Sequence, residues 1–152
     1  VYAYRFDWGN LSNFLTLDLQ DLLGGAHALE LPFVFGNLDL LETALVLADQ
    51  DAARNLSDSM MSYWAEFAHT GNPSTGRDGE LTLWKPWSNA QEEERQIIFD
   101  EADYGGVRLS ADRVNFDVIV NELIADDALD SETKCELSNR MFPHLSARVC
   151  SG

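Results

Sequence analysis

At 152 residues and 17.0 kDa the chain has the length of one domain. An apolar content of 45% is ordinary for a globular chain and too high for disorder. The net charge of −16 and a pI near 4.2 argue against nucleic acid and against an anionic membrane surface, because both need patches of Lys and Arg. The plainest reading of the acidity is a solvated surface that resists aggregation. No run of about 18 apolar residues is present, so no membrane span is expected. No signal peptide is visible.

The chain starts at Val1, without an initiator Met, and its first residues already read as a strand. It therefore reads as a piece of a larger protein, with its chemistry shared with residues outside it. Val1-Tyr-Ala-Tyr-Arg-Phe6 is aromatic and partly alternating, which suits a strand. Asp7-Trp-Gly-Asn10 is the turn that ends it. Residues 11–26 are Leu-rich and close on Gly24-Gly25, as expected of a loop or short irregular element beside a site. Leu31 to Phe35 is apolar, with Pro32 opposing a long regular helix. Phe33, Phe35 and Trp64 are expected in the core. Leu38 to Leu47 predicts a partly buried helix.

The strongest periodic segment runs from about Asp51 to Thr70. Leu56, Met60, Met61, Trp64, Phe67 and Ala68 recur at threes and fours. Asp49 or Asp51 can cap its start. His69 suits its C-terminal end, Gly71 a left-handed cap, and Pro73 a stop. Residues 71–80 are polar and loop-like. Trp84 and Trp87 flank a Pro turn and read as packing residues. Gln96 to Phe99 predicts a short strand. Asp112 is a candidate cap for a helix using Val114, Val118, Ile119 and Leu123, and Ser131 starts another that ends before Pro143. Cys135 and Cys150 read either as a disulfide pinning the tail, which fits a secreted or periplasmic protein, or as two unrelated thiols; the disulfide is favoured.

The chemistry motifs are few. There is no G-x-S-x-G elbow, no H-E-x-x-H, no phosphate-cradling Gly loop and no paired Cys-x-x-Cys. Glu92-Glu-Glu94 reads as a solvated acidic face. Asp100, Glu101 and Asp103 lack the spacing of a calcium loop. His69 and His144 have capping or surface readings. His27 stands apart, in Gly24-Gly-Ala-His27-Ala-Leu-Glu30-Leu-Pro-Phe-Val-Phe-Gly36. An imidazole in a Gly-rich turn before a dense apolar run is held in place yet reaches a cleft, and it moves protons near neutral pH. Glu30 has two readings, an orienting partner for that ring or a satisfied buried acid, and spacing does not choose between them.

That segment resembles the catalytic-histidine segment of type-B carboxylesterases, the cholinesterase-like branch of the α/β-hydrolases. Three more matches keep the family's order. Val1 to Phe6 resembles the strand leading to the histidine. Tyr63-Trp-Ala-Glu-Phe-Ala68 with Gly71-Asn-Pro73 resembles the family's long helix and its stop. Trp84 with Pro86-Trp87 resembles a downstream Trp-Pro turn, here with Lys85 inserted. The likeness is strongest over residues 1–100 and fades beyond Arg113.

The resemblance implies an α/β fold: residues 1–152 as the C-terminal segment of a single α/β-hydrolase domain, with a mostly parallel sheet flanked by helices. It implies ester hydrolysis with His27 as the catalytic histidine and Glu30 as a supporting residue. The serine and the acid would lie upstream, since the triad runs Ser, Asp or Glu, His in chain order. No metal or organic cofactor is implied. The implied partners are a small ester substrate and the upstream part of the enzyme. Without that part, the first strand is expected to expose an unpaired edge and the chain to be unstable and inactive alone. The rival reading is a cholinesterase-like domain that has lost catalysis and serves binding or adhesion. Ala28 stands where many relatives have Gly, a departure affecting backbone packing beside the His.

Overall fold

The computed structural model describes residues 1–9, 28–39, 49–90, 92–113 and 115–150. His27, the segment 11–26 and nearly all of the helix expected over Leu38 to Leu47 lie outside them. The chain divides into two compact units, Val1–Ala111 and Asp112–Gly152.

In the first unit, strand β1 (Tyr4–Phe6) lies parallel to β2 (Gln96–Phe99), with Tyr4 opposite Ile97 and Phe6 opposite Phe99. Strand β3 (Arg108–Ser110) pairs antiparallel to β2, giving a three-stranded mixed sheet in the order β1-β2-β3. β1 is shorter than its six-residue sequence signal. β3 carries no such signal: three residues are too few to show alternation, and a 3-10 turn at Ala102–Tyr104 followed by Gly105 (φ 103°) and Gly106 (φ 65°) brings it back.

Helix α1 (Glu30–Val34) is short, and Pro32 is tolerated because it falls in the first turn, where amides lack helical partners. Helix α2 (Gln50–Thr70) follows its sequence pattern closely. Asp49 caps it, its carboxylate accepting from the Ala52 amide at 2.9 Å. Gly71 takes φ 78° and returns its amide to the Phe67 carbonyl at 2.7 Å, which ends the helix. Its inward stripe of Ala53, Leu56, Met60 and Tyr63 meets Trp8, Phe33, Trp84, Ile97 and Phe99 in one core. Full burial of such side chains contributes roughly 1.5–3 kcal/mol each.

The centre of that core is aromatic. Trp84 packs edge-on against Tyr63, with ring centroids 5.4 Å apart, and against Phe99 at the same separation. Its indole N–H donates to the Ala3 carbonyl at 3.1 Å, tying the Trp-Pro turn to β1. Trp87 is instead half-exposed and lies beneath the Arg95 guanidinium, 5.5 Å from its ring centre.

Tyr63 is fully buried and donates its hydroxyl to the Thr82 carbonyl at 2.5 Å. Burial pushes the phenol up from 10.0 to about 12. The neutral form is thus favoured in the folded state, so between pH 10 and about 12 the unfolded chain has lost a proton that the folded chain keeps. Stability falls with rising pH across that window. Alkaline unfolding followed by circular dichroism should flatten there in Tyr63→Phe, and an unchanged slope would remove Tyr63 as the cause.

The second unit contains α3 (Phe116–Ala125), α4 (Ser131–Met141) and α5 (Ala147–Cys150). Its buried core is Val120, Phe142 and Val149, with Ile119, Leu123 and Leu145 packed around it. Asn115, not Asp112, caps α3, accepting from the Val118 amide at 3.0 Å. Both residues are good caps by type; Asn115 has the extended backbone (φ −134°, ψ 170°) that a cap needs. Asp130 caps α4, accepting from the Thr133 amide at 2.7 Å. Arg148 reaches back from α5 to the Asp117 carboxylate, and to Asn121 Oδ1 at 3.0 Å. Cys135 and Cys150 form the expected disulfide, joining α4 to α5.

Candidate active site

The described part of the candidate segment, residues 28–36, contains α1. Phe33 is fully buried, with its ring 5.2 Å from Phe6 and 4.8 Å from Trp8. α1 therefore sits against the carboxyl end of β1. Ser57, buried on α2, donates its hydroxyl to the Phe33 carbonyl at 2.8 Å and fixes α1 from the other side. In open α/β sheets, ligands bind in the crevice beyond the carboxyl ends of the parallel strands, the end of β1 against which Phe33 packs.

Phe35, expected in the core, is 75% exposed. A helix turns about 100° per residue, so once Phe33 faces inward, Leu31 and Phe35 point away. The apolar run is amphipathic at helical spacing, not uniformly buried. Trp64 keeps its packing role beside Trp84, with ring centroids 5.4 Å apart.

Two features flank His27 on its C-terminal side. Ala28 has φ 71°, in the left-handed region that glycine enters without strain. An alanine there costs roughly 1 kcal/mol. The turn that follows the histidine thus carries a glycine-type backbone with a methyl group on it. We expect Ala28→Gly to raise stability by about 0.5 kcal/mol, since relief of the strain outweighs the entropy glycine adds to the unfolded chain. Urea unfolding measures this, and a variant less stable than the parent would contradict it.

Glu30 opens the first turn of α1 and is half-buried. Its carboxylate faces the Tyr4 phenol, which is raised first by burial and then by that negative charge. It lines a groove between α1 and α2 together with Leu31, Val34, Phe35, Met61 and Trp64.

An acidic cleft of about 370 Å³ lies beyond the carboxyl end of β2, lined by Asp49, Asp51, Asp100, Glu101 and Asp103 among others. The three acids singled out in the sequence are thus brought together. Asp100 is pushed up by burial, against the Glu101 amide and Arg108 that stabilise its charge; Asp7 adds to the rise. Arg108 lies 3.7 Å from its carboxylate. Among the described residues no group of three or more His, Cys, Asp or Glu is placed to hold a metal ion. None of them forms a helix long and apolar enough to cross a membrane.

Parallel β1 and β2 packed against α1 and α2 correspond to a portion of an α/β-hydrolase. A solved thermophilic para-nitrobenzyl esterase superimposes with a TM-score of 0.52 at 35% identity, over 72% of this chain and 19% of its own.

Residues 1–115 match the sequence profile of the Carboxylesterase family, and the chain belongs to that family. It is 38% identical over 103 residues to the para-nitrobenzyl esterase of Bacillus subtilis (strain 168), covering 68% of this chain and 18% of that protein. It is 31% identical over 145 residues to the acetylcholinesterase of Electrophorus electricus, covering 95% of this chain and 19% of that protein. The chain thus spans about a fifth of the length of these relatives.

Proposed function

We propose that residues 1–152 are the C-terminal segment of a single α/β-hydrolase domain in a serine carboxylic ester hydrolase, and that they supply its general base, His27. The observation that carries this reading is the family match across residues 1–115, which spans His27 and joins the chain to relatives named as esterases. The seating of α1 at the carboxyl end of β1 supports it, because that end is where such folds do their chemistry.

The proposed mechanism has two steps. Neutral His27 takes the proton of an upstream serine hydroxyl as the oxygen attacks the ester carbonyl. The imidazolium then protonates the leaving alcohol. In the second step His27 takes a proton from water, whose oxygen attacks the acyl-enzyme. The acid leaves as the serine regains its proton. An upstream carboxylate holds the ring's tautomer, and Glu30 acts as a positioning residue for the same turn. This segment alone is inactive on this reading, because it lacks the nucleophile.

The test uses the natural full-length polypeptide with a p-nitrophenyl ester and a serine-reactive organophosphate. We expect turnover, its stoichiometric loss with the inhibitor, and a G-x-S-x-G elbow upstream of Val1. A full-length protein with no elbow and no turnover would be the non-catalytic binding domain instead.

A further inference from the structure

Helix α2 carries the triplet Asn55-Leu-Ser57, an asparagine followed two positions on by a hydroxyl residue, with no proline between. That pattern is the acceptor for N-linked glycan in exported proteins. The chain holds a second such triplet, Asn10-Leu-Ser12, outside the described residues. Asn72-Pro-Ser74 has the same spacing, but Pro73 disqualifies it.

Asn55 meets the physical demands on a modified residue. It is exposed on the polar face of α2, with exposed Asp51 and Asp58 one turn to either side. The polarity of this face belongs to the sequence itself, because Ala53, Leu56, Met60 and Tyr63 turn the other way into the core. No described residue bonds the Asn55 carboxamide. Asn55 also lines the cleft of about 370 Å³ described above, which leaves room for a first sugar. The Cys135–Cys150 disulfide is an independent mark of an oxidising, exported setting.

The hydroxyl of the triplet is engaged elsewhere. Ser57 is 2% exposed and donates to the Phe33 carbonyl at 2.8 Å. Residues two apart on a helix point roughly 200° from each other, so Asn55 and Ser57 cannot act together once α2 is wound. In an extended chain they share one face.

We propose that Asn55 is an N-glycosylation site that is used on the unfolded chain and closed by folding, when Ser57 docks on Phe33. The donor is an oligosaccharide on a polyprenyl diphosphate. Asn55 Nδ2 attacks the first sugar's C1, and the N–C1 bond forms as the C1–O bond breaks. The lipid diphosphate leaves with the electron pair, and the nitrogen gives up one proton. The glycan then stands on the polar face of α2 beside the acidic cleft.

The test is peptide mass spectrometry of the natural full-length polypeptide secreted from eukaryotic cells. Treatment with peptide-N-glycosidase in heavy-oxygen water turns each glycosylated Asn into labelled Asp. Asn55 should be recovered labelled and Asn72 unlabelled. Asn55→Gln leaves the Ser57 bond to Phe33 intact, so that variant should lose one glycan and still be secreted. In pulse-labelled cells the Asn55 glycan should appear before the chain becomes protease-resistant. Recovery of Asn55 unlabelled from the secreted protein overturns the proposal. So does a glycan first gained by chains that are already protease-resistant. None of these readouts uses catalysis, so they stand or fall apart from the esterase assignment.

Discussion

His27→Ala in the full-length protein should lower p-nitrophenyl ester turnover by about four to six powers of ten. The magnitude follows from its place in the proposed chemistry. Without the imidazole, the serine hydroxyl keeps its proton through the attack, and the departing alkoxide receives none. Residual rate would come from ester binding and the oxyanion hole alone. The fold should be spared, because Phe33 and Ser57 seat α1. The variant should therefore melt within about 1 kcal/mol of the parent. Turnover within tenfold of the parent, in a variant that melts normally, would remove His27 from the reaction. Loss of turnover with a collapsed melting transition would point to a structural role.

What the sequence made legible depended on how local each signal was. The α2 helix has stop and start signals within its own residues: Asp49 at one end, Gly71 and Pro73 at the other, and an apolar stripe between them. Those signals need no tertiary context. β3 is the opposite case, three residues that are a strand only because Gln96 to Ile98 lie beside them. Phe35 shows a second kind of failure. A run of apolar residues was read by composition, whereas a helix of five residues already divides it into Phe33 inside and Phe35 outside. Cap choice at α3 turns on where the helix starts: Asp112 and Asn115 are both good caps by type, and the helix begins at Phe116, directly after Asn115. The proposed site comes through a different channel. Spacing alone marked His27 as one imidazole in a Gly-rich turn, and its assigned role comes from the ordered resemblance to one family. The strain at Ala28 falls at a position where the family resemblance implies a glycine.

Reduction of the Cys135–Cys150 disulfide should selectively loosen α3, α4 and α5. Among its described residues the second unit has three buried apolar side chains, Val120, Phe142 and Val149, and Ser138 Oγ is buried with no hydrogen-bond partner among them. So small a core needs a covalent clasp to remain ordered. The disulfide closes a separation of 15 residues, which contributes about 3 kcal/mol by restricting the unfolded chain. At about 1.4 kcal/mol per tenfold, its loss corresponds to a roughly 100-fold rise in opening. Peptide-resolved hydrogen exchange with and without dithiothreitol reads this directly. Amides of Phe116–Ala125 and Ser131–Met141 should accelerate by about that factor, with those of Gln50–Thr70 as the internal reference. Cys135→Ser should reproduce the effect without reductant. Arg148 provides the contrast: its contacts with Asp117 and Asn121 are exposed, so Arg148→Ala should cost less than about 1 kcal/mol. If exchange in the second unit is unchanged by reduction, its order comes from packing and hydrogen bonding alone, and the clasp is dispensable.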